Sequence, residues 1–447
     1  MPLAALTLVA SANAATVTVT GTDDSVQGDG VVSLREAITS INAGSNVNGD
    51  VVAVGAYGTN DTINFNIPGS GARRILVGGG ASIGALPALV KPVSINGYTQ
   101  GGASANTLAN GDNANTLVLL DGSSAGLSAA GLLLEAGSST IRGLAVFGFG
   151  GGNIAILRSN GNTIVGNEIG FDPGGAPALS PRGVLIQNAG SNTIGGSTPA
   201  DRNVISGNFV DGVEILGSAA LPATANVVRG NFIGTGTSGV SALGNGAAAP
   251  AGAGGGVQLI DASSNTIGGA AAGARNVIAG NGVAGILDRE SQANTFQGNF
   301  IGIGADGVTA VPNPVGVWLM SSNAGPPARN NDIGGTEAGS GNLIFSSSGP
   351  GVVLTGATTT GNQIFANSIN ANGGLGIDLG NDGVTPNSPG GPHTGPNNLQ
   401  NFPVVTAVSH APSSTTVQGT LNATPSTTFR VEFFQSAACD PSGFGEG

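Results

Sequence analysis

"NTIGGAAAGARNVIAGN", residues 265–281, has an earlier twin in "NTIGGSTPADRNVISGN", residues 192–208. The spacers differ, but Asn, Gly and isolated aliphatic residues keep their places. N-x-I-G-G begins at Asn192, Asn265 and Asn331, and another Asn follows 11 residues on, at Asn203, Asn276 and Asn342. Between these copies runs a second phrase, N-x-[IVF]-x-G-N-x-I-G, at 162–170, 226–234 and 294–302, with a looser copy, "NQIFANSIN", at 362–370. Its starts lie 64, 68 and 68 residues apart. A third element, G-[VI]-x-[IL], recurs at 183–186, 212–215, 256–259, 316–319, 351–354 and 376–379. The chain is a tandem array with alternating units.

Each phrase reads as a strand of three to five residues bounded by Asn or Gly. In "GVEIL", 212–216, Val213 and Ile215 share one face and Glu214 takes the other, the period of two that marks a strand. Short strands in a one-way repeat, with no helical pattern between them, predict an all-β, right-handed parallel β-helix. Asn and Gly suit the points where each coil turns, because they tolerate left-handed backbone angles. Stacking would place like residues above one another, so Asn side chains are expected to form hydrogen-bonded ladders. The fixed letters build the coil, and the free ones form loops.

Composition agrees. Gly supplies 80 of 447 residues, aromatics only 4 %, and small or β-branched side chains dominate a 40 % hydrophobic content. Disorder needs low hydrophobicity with high charge, and this chain has neither. The 13 basic and 25 acidic residues together are fewer than the 43 Asn, and Lys91 is the single lysine. A net charge of −12 argues against nucleic acid and anionic membrane as partners. Cys439 stands alone, so no intrachain disulfide can form. No apolar run is long enough for a membrane-spanning helix.

The ends of the array read differently. Residues 1–15 contain an apolar stretch followed by Ala12-Asn13-Ala14, the pattern of a signal peptide; a basic start is missing and is expected upstream. Residues 16–62 are expected to cap the array. Within them "SLREAITSI", 33–41, carries a Ser33/Glu36 capping box and an apolar stripe of Leu34, Ala37, Ile38 and Ile41. The β-helix is expected over 63–379, a Pro/Gly/Asn linker over 380–401, and over 402–447 an incomplete β-sandwich-like segment with strands in "FPVVTAV", "TTVQGTL" and "TTFRVEFF". Further domains are expected to follow.

At Val32-Ser33-Leu34-Arg35-Glu36-Ala37, and through "INFNIP" (63–68), "LPALVKPVSINGYTQGGASAN" (86–106), the "RNVISGN" coils and "NNLQNFPVV" (397–405), the chain resembles bacterial secreted right-handed parallel β-helix proteins with an N-terminal CSLREA motif. The resemblance covers nearly the whole chain. It implies export, often within a large surface protein, and brings no agreed activity or catalytic site. Val32 replaces the motif's Cys, which removes any thiol role there.

A β-helix is also a scaffold for polysaccharide-degrading enzymes, and fold alone decides nothing. The pairing of Asp residues with Gly-His-Gly and Arg-Ile-Lys expected of a polygalacturonase-like chain is missing, and His393 and His410 lie in the linker and tail. Lyase chemistry on uronates needs an Arg or Lys base; the array has several Arg and only Lys91 as a lysine, and no pectate-lyase-like signature surrounds Trp318. The candidate acid pairs are Asp211 with Glu214, and Asp288 with Glu290; the latter two would share a face if extended. A pair of this kind could bind a cation or transfer protons, although acid pairs are commonly just a solvated face. Arg202 and Arg275 occupy equivalent repeat positions, which points to a coil-stabilising role. Asp378, Asn381, Asp382 and Asn387 in "DLGNDGVTPN" offer hard oxygen ligands for Ca²⁺, although turn chemistry alone favours the same residues. No other cofactor is indicated. The expected function is an exported, non-catalytic protein that presents a polar face to a glycan or cell surface. The alternative is a carbohydrate-active enzyme, a polysaccharide lyase or glycoside hydrolase.

Overall fold

The computed structural model describes residues 14–79, 84–178, 180–247, 249, 254–322, 325–390, 393–435 and 443–446. The signal-peptide expectation falls almost wholly on residues 1–13, outside the described ones. Three long parallel sheets carry the chain. Sheet one has eleven strands from Thr16–Val19 to Gln363–Phe365, and sheet two has ten from Arg73–Leu76 to Ser368–Asn370. Sheet three has nine, from Ala130–Leu134 to Ile377–Leu379. From Val93–Asn96 onward each coil contributes one strand to each sheet in turn, which is a right-handed parallel β-helix.

Register explains the two phrases. Thr163 pairs with Thr193, Thr193 with Val227, Val227 with Thr266, and Thr266 with Thr295. Both phrases therefore occupy the same position in successive coils and differ mainly in the loop that follows. One side of each strand fills the interior: Ile141, Ile164, Ile194, Ile267 and Ile333 in sheet one, Ile205, Ile233, Ile278, Ile301 and Ile344 in sheet two, all fully buried in one continuous core. Thr and Ser stand on the outer side of sheet one, beginning with Thr16, Thr62 and Ser94.

The asparagines settle the corners. Asn162, Asn192, Asn226, Asn265 and Asn294 form one ladder, in which each side-chain oxygen after that of Asn162 accepts the backbone N–H and side-chain N–H of the Asn one coil earlier. Asn167, Asn203, Asn231, Asn276, Asn299 and Asn342 form a second. Asn208, Asn245, Asn281 and Asn313 form a third. The opening phrase therefore places one Asn at each corner of its coil. A turning strand leaves amides without ladder partners, and the buried Asn supplies them. The expected polar binding face is accordingly not made of these residues, most of which are fully buried.

Glycine has two separate tasks. Gly195, Gly268 and Gly334 of N-x-I-G-G have φ of 82°, 97° and 94°, angles that favour a residue without Cβ. In G-[VI]-x-[IL] the glycines stack instead: a Cβ on Gly212 or Gly285 would lie 2.6 or 2.7 Å from the carbonyl oxygen of Gly256 or Gly316 in the next coil.

The helix spans Leu34–Ala43, with the Ser33/Glu36 capping box formed and Gly44 closing it at φ 70°. Leu34, Ala37, Ile38 and Ile41 join the core formed by Val17, Val19 and Ile63. The β-helix begins before this helix, because Thr16–Val19 already pairs with Asp61–Phe65; the helix is an insertion between two strands. Beyond the array, Val404–Ala411 and Ser414–Thr420 form an antiparallel hairpin. The third expected strand, around Thr427–Phe434, is not formed: this stretch has no ladder partner among the described residues.

Candidate functional site

The glycine at each sheet-three corner turns its missing side chain inward, toward Ile205 and Asn208 in the case of Gly183. The residues before it and two after it therefore both reach the outside. In strand Asp211–Leu216 these are Asp211 and Glu214, and the register sets Arg182 beside Asp211 and Leu185 beside Glu214. Arg182 donates through Nε to Glu214 Oε2 in an ion pair. The Asp211 carboxyl meets that of Glu214, and burial, then the adjoining negative charge of Glu214, push it well above the usual carboxylate range. Asp211 therefore keeps its proton under conditions that strip an exposed aspartate. Its Oδ1 has no partner. The two residues are 1 % and 3 % exposed, and Gly246 and Gly255 approach the carbonyl of neighbouring Val210. This arrangement supplies a held proton and a fixed positive charge side by side. Carboxyls in contact cannot straddle a glycosidic bond as a hydrolase pair does.

The second expected pair is divided. Asp288 aligns with Leu259 and Leu319, so it points into the coil and is fully buried. Its Oδ2 accepts from Asn294 Nδ2 at 3.0 Å, and its Oδ1 has no partner. Burial raises it to about 7. Glu290 lies outside the strand at φ 56° and accepts the Ser322 hydroxyl. The left-handed turn after Arg289 breaks the alternation, so Asp288 and Glu290 do not share a face.

The "DLGNDGVTPN" residues also separate. Asp378 accepts the backbone N–H groups of Asp382 and Gly383 at 3.3 and 3.1 Å, while Asn381 takes φ 61° within the same turn. Asn387 is bonded both ways to the Phe402 backbone. Among the described residues no group of three His, Cys, Asp or Glu gathers as a metal site.

Arg202 and Arg275 stack on Phe232 and Phe300, their guanidinium carbons 4.2 and 4.0 Å from the ring centroids. Arg202 also donates to the carbonyls of Leu108 and Ala109. These contacts hold coils and loops together, in line with the repeat reading.

Glu168 was missed. It stands in the outer column of sheet two, where neighbouring coils carry Val204, Phe232, Val277 and Phe300. It is 8 % exposed, and no hydrogen bond from its carboxyl to another described residue is present. Burial, then the charge of Asp112, raises it to about 7. Tyr98 lies in the same group, donating to Gly166 at 2.6 Å beneath the Arg142 guanidinium. The signal was present in the sequence: Glu168 occupies the variable position of N-x-I-G that is Phe232 and Phe300 in the other copies.

No family model and no curated protein matches the chain. Among solved structures it is similar to the A-module of mannuronan C-5 epimerase AlgE4 from Azotobacter vinelandii, at 15 % identity and TM-score 0.42, covering 79 % of this chain and 92 % of that one. The periplasmic alginate epimerase AlgG aligns at 12 % identity and TM-score 0.26, over 72 % of each chain. Pectate lyase Pel9A aligns at 11 % identity and TM-score 0.29, over 84 % of this chain and 89 % of that one. A likeness of this size assigns no chemistry to this chain. No helix among the described residues is long and apolar enough to cross a membrane.

Proposed function

We propose that the chain is an exported, carbohydrate-active β-helix protein that works on an acidic polysaccharide at the outer face of sheet three. The observation that carries this reading is the contact of Asp211 with Glu214 beside Arg182. Proton transfer next to a sugar carboxylate needs a group that exchanges a proton and a charge that neutralises the carboxylate. Glu214, paired with Arg182, would take the C-5 proton, protonated Asp211 would give one to the leaving O-4, and Arg182 would neutralise the sugar carboxylate. Elimination fits this arrangement, and hydrolysis by the pair does not. Export and kinship with CSLREA-type proteins belong to the same proposal and rest on Ala12-Asn13-Ala14 and on Val32–Ala37.

A second reading, adhesion without turnover, is favoured by the burial of Asp211 and Glu214, which a substrate reaches only if the strand-start segment near Gly246 and Gly255 moves. The test incubates the protein with mannuronan, polygalacturonate and a neutral glucan, and follows polymer size, unsaturated ends and C-5 inversion. Change in an acidic polymer that is lost in Asp211→Asn supports the enzyme. Unchanged polymer that co-elutes with the protein establishes the adhesive reading, and neither result on any polymer overturns both.

A further inference from the structure

Sheet one carries an outer column that the chemistry on sheet three does not use. Thr140, Thr163, Thr193, Thr266 and Thr295 stack in register, with Val227 the single interruption. None of their hydroxyls bonds to another described residue, and all five are partly exposed. Strand spacing sets adjacent hydroxyls about 4.8 Å apart, close to the length of one sugar unit in an extended polymer, with a gap of two spacings across Val227. Two positions along the same face stand Arg142 and Arg229. Neither forms an ion pair with a described carboxylate; the Nε of each is buried and unbonded, and the Arg142 guanidinium lies over the Tyr98 ring, 5.4 Å from its centroid. In a chain of net charge −12, two arginines without a carboxylate partner beside a hydroxyl row favour an anionic partner carrying many hydroxyls.

We infer that the outer face of sheet one is a docking track for a linear polyuronate lying along the solenoid axis, its hydroxyls bonded to the threonine column and its carboxylates to Arg142 and Arg229. This rests on the proposal that the chain works on acidic polysaccharide, but places a separate, non-reacting contact on another sheet. Thr→Val is the fitting probe, since it swaps a hydroxyl for a methyl and suits an outward strand position.

The experiment measures polygalacturonate and mannuronan affinity by calorimetry for the full chain, for a quadruple variant (Thr163→Val, Thr193→Val, Thr266→Val, Thr295→Val), and for Arg142→Gln with Arg229→Gln. The expected result is a loss of about tenfold or more in each variant, and wild-type binding that weakens with salt. Circular dichroism checks that each variant keeps its β content. Wild-type affinity in the folded valine and arginine variants overturns the docking track while leaving the sheet-three proposal in place. Loss of binding in those variants, with no polymer chemistry in the wild type, does the reverse. Thermal hysteresis in ice-growth assays without polyuronate binding also overturns it, since the hydroxyl row then serves a water lattice.

Discussion

Asp288 stands where the column requires an aliphatic residue. Leu259 and Leu319 flank it, and its Oδ1 has no hydrogen-bond partner. With a folded pKa near 7, raised by burial, it takes up a proton that the unfolded chain, titrating near 4, has already released. Its contribution to stability is therefore full below pH 4 and lost as pH rises through about 7, a change on the order of 4 kcal/mol. Asp288→Asn keeps the shape and the acceptor for Asn294 without the charge. Thermal melts at pH 5 and pH 8 should show a wild type that loses stability with rising pH and a variant with a flatter profile. An unchanged slope would assign the titration elsewhere, with Glu168 the next group to substitute.

At the scale of elements, the ladders do what strand pairing cannot at a corner. Asn276 accepts the Asn231 backbone and side-chain N–H groups at 3.0 and 3.1 Å, and donates to Val228 and Asn299 at 2.8 and 3.0 Å. Asn276→Ala strands buried partners on both sides and should cost about 3 kcal/mol in chemical denaturation. Asn397→Ala, at the partly exposed end of another ladder, should cost clearly less. Equal losses would contradict a role set by burial. The sequence announced these ladders through spacing, because identical corners demand identical residues. It did not announce that Asp288 and Glu290 part company, since the left-handed turn at Glu290 has no marker such as Gly or Asn.

Across the whole molecule, a solenoid is as stable as its nearest-neighbour interfaces, and its ends need cover. We propose that the helix Leu34–Ala43 provides that cover at one end, since Ile38 is fully buried in the core that it shares with Val17, Val19 and Ile63. Ile38→Asp would bury an unpaired carboxylate and should lower stability by roughly 3 kcal/mol or more. Hydrogen exchange should then show early opening in Thr16–Val19 and Asp61–Phe65, ahead of the central coils. Uniform opening would mean that the helix is not an end cap.

The sequence by itself determined the coil. Its Asn and Gly spacings encode local corner geometry, which repeats because each coil meets a copy of itself, and the capping box is equally local. Only the tertiary structure decided what the acids do. Asp211 and Glu214 meet because the corner glycine puts both outside, and Arg182 joins them from a strand one coil away. Asp288 is inward because of its parity against neighbouring coils, and the Asp378 loop closes on its own amides. Side-chain direction, burial and charge partners depend on stacking between coils, and that is information no single repeat contains.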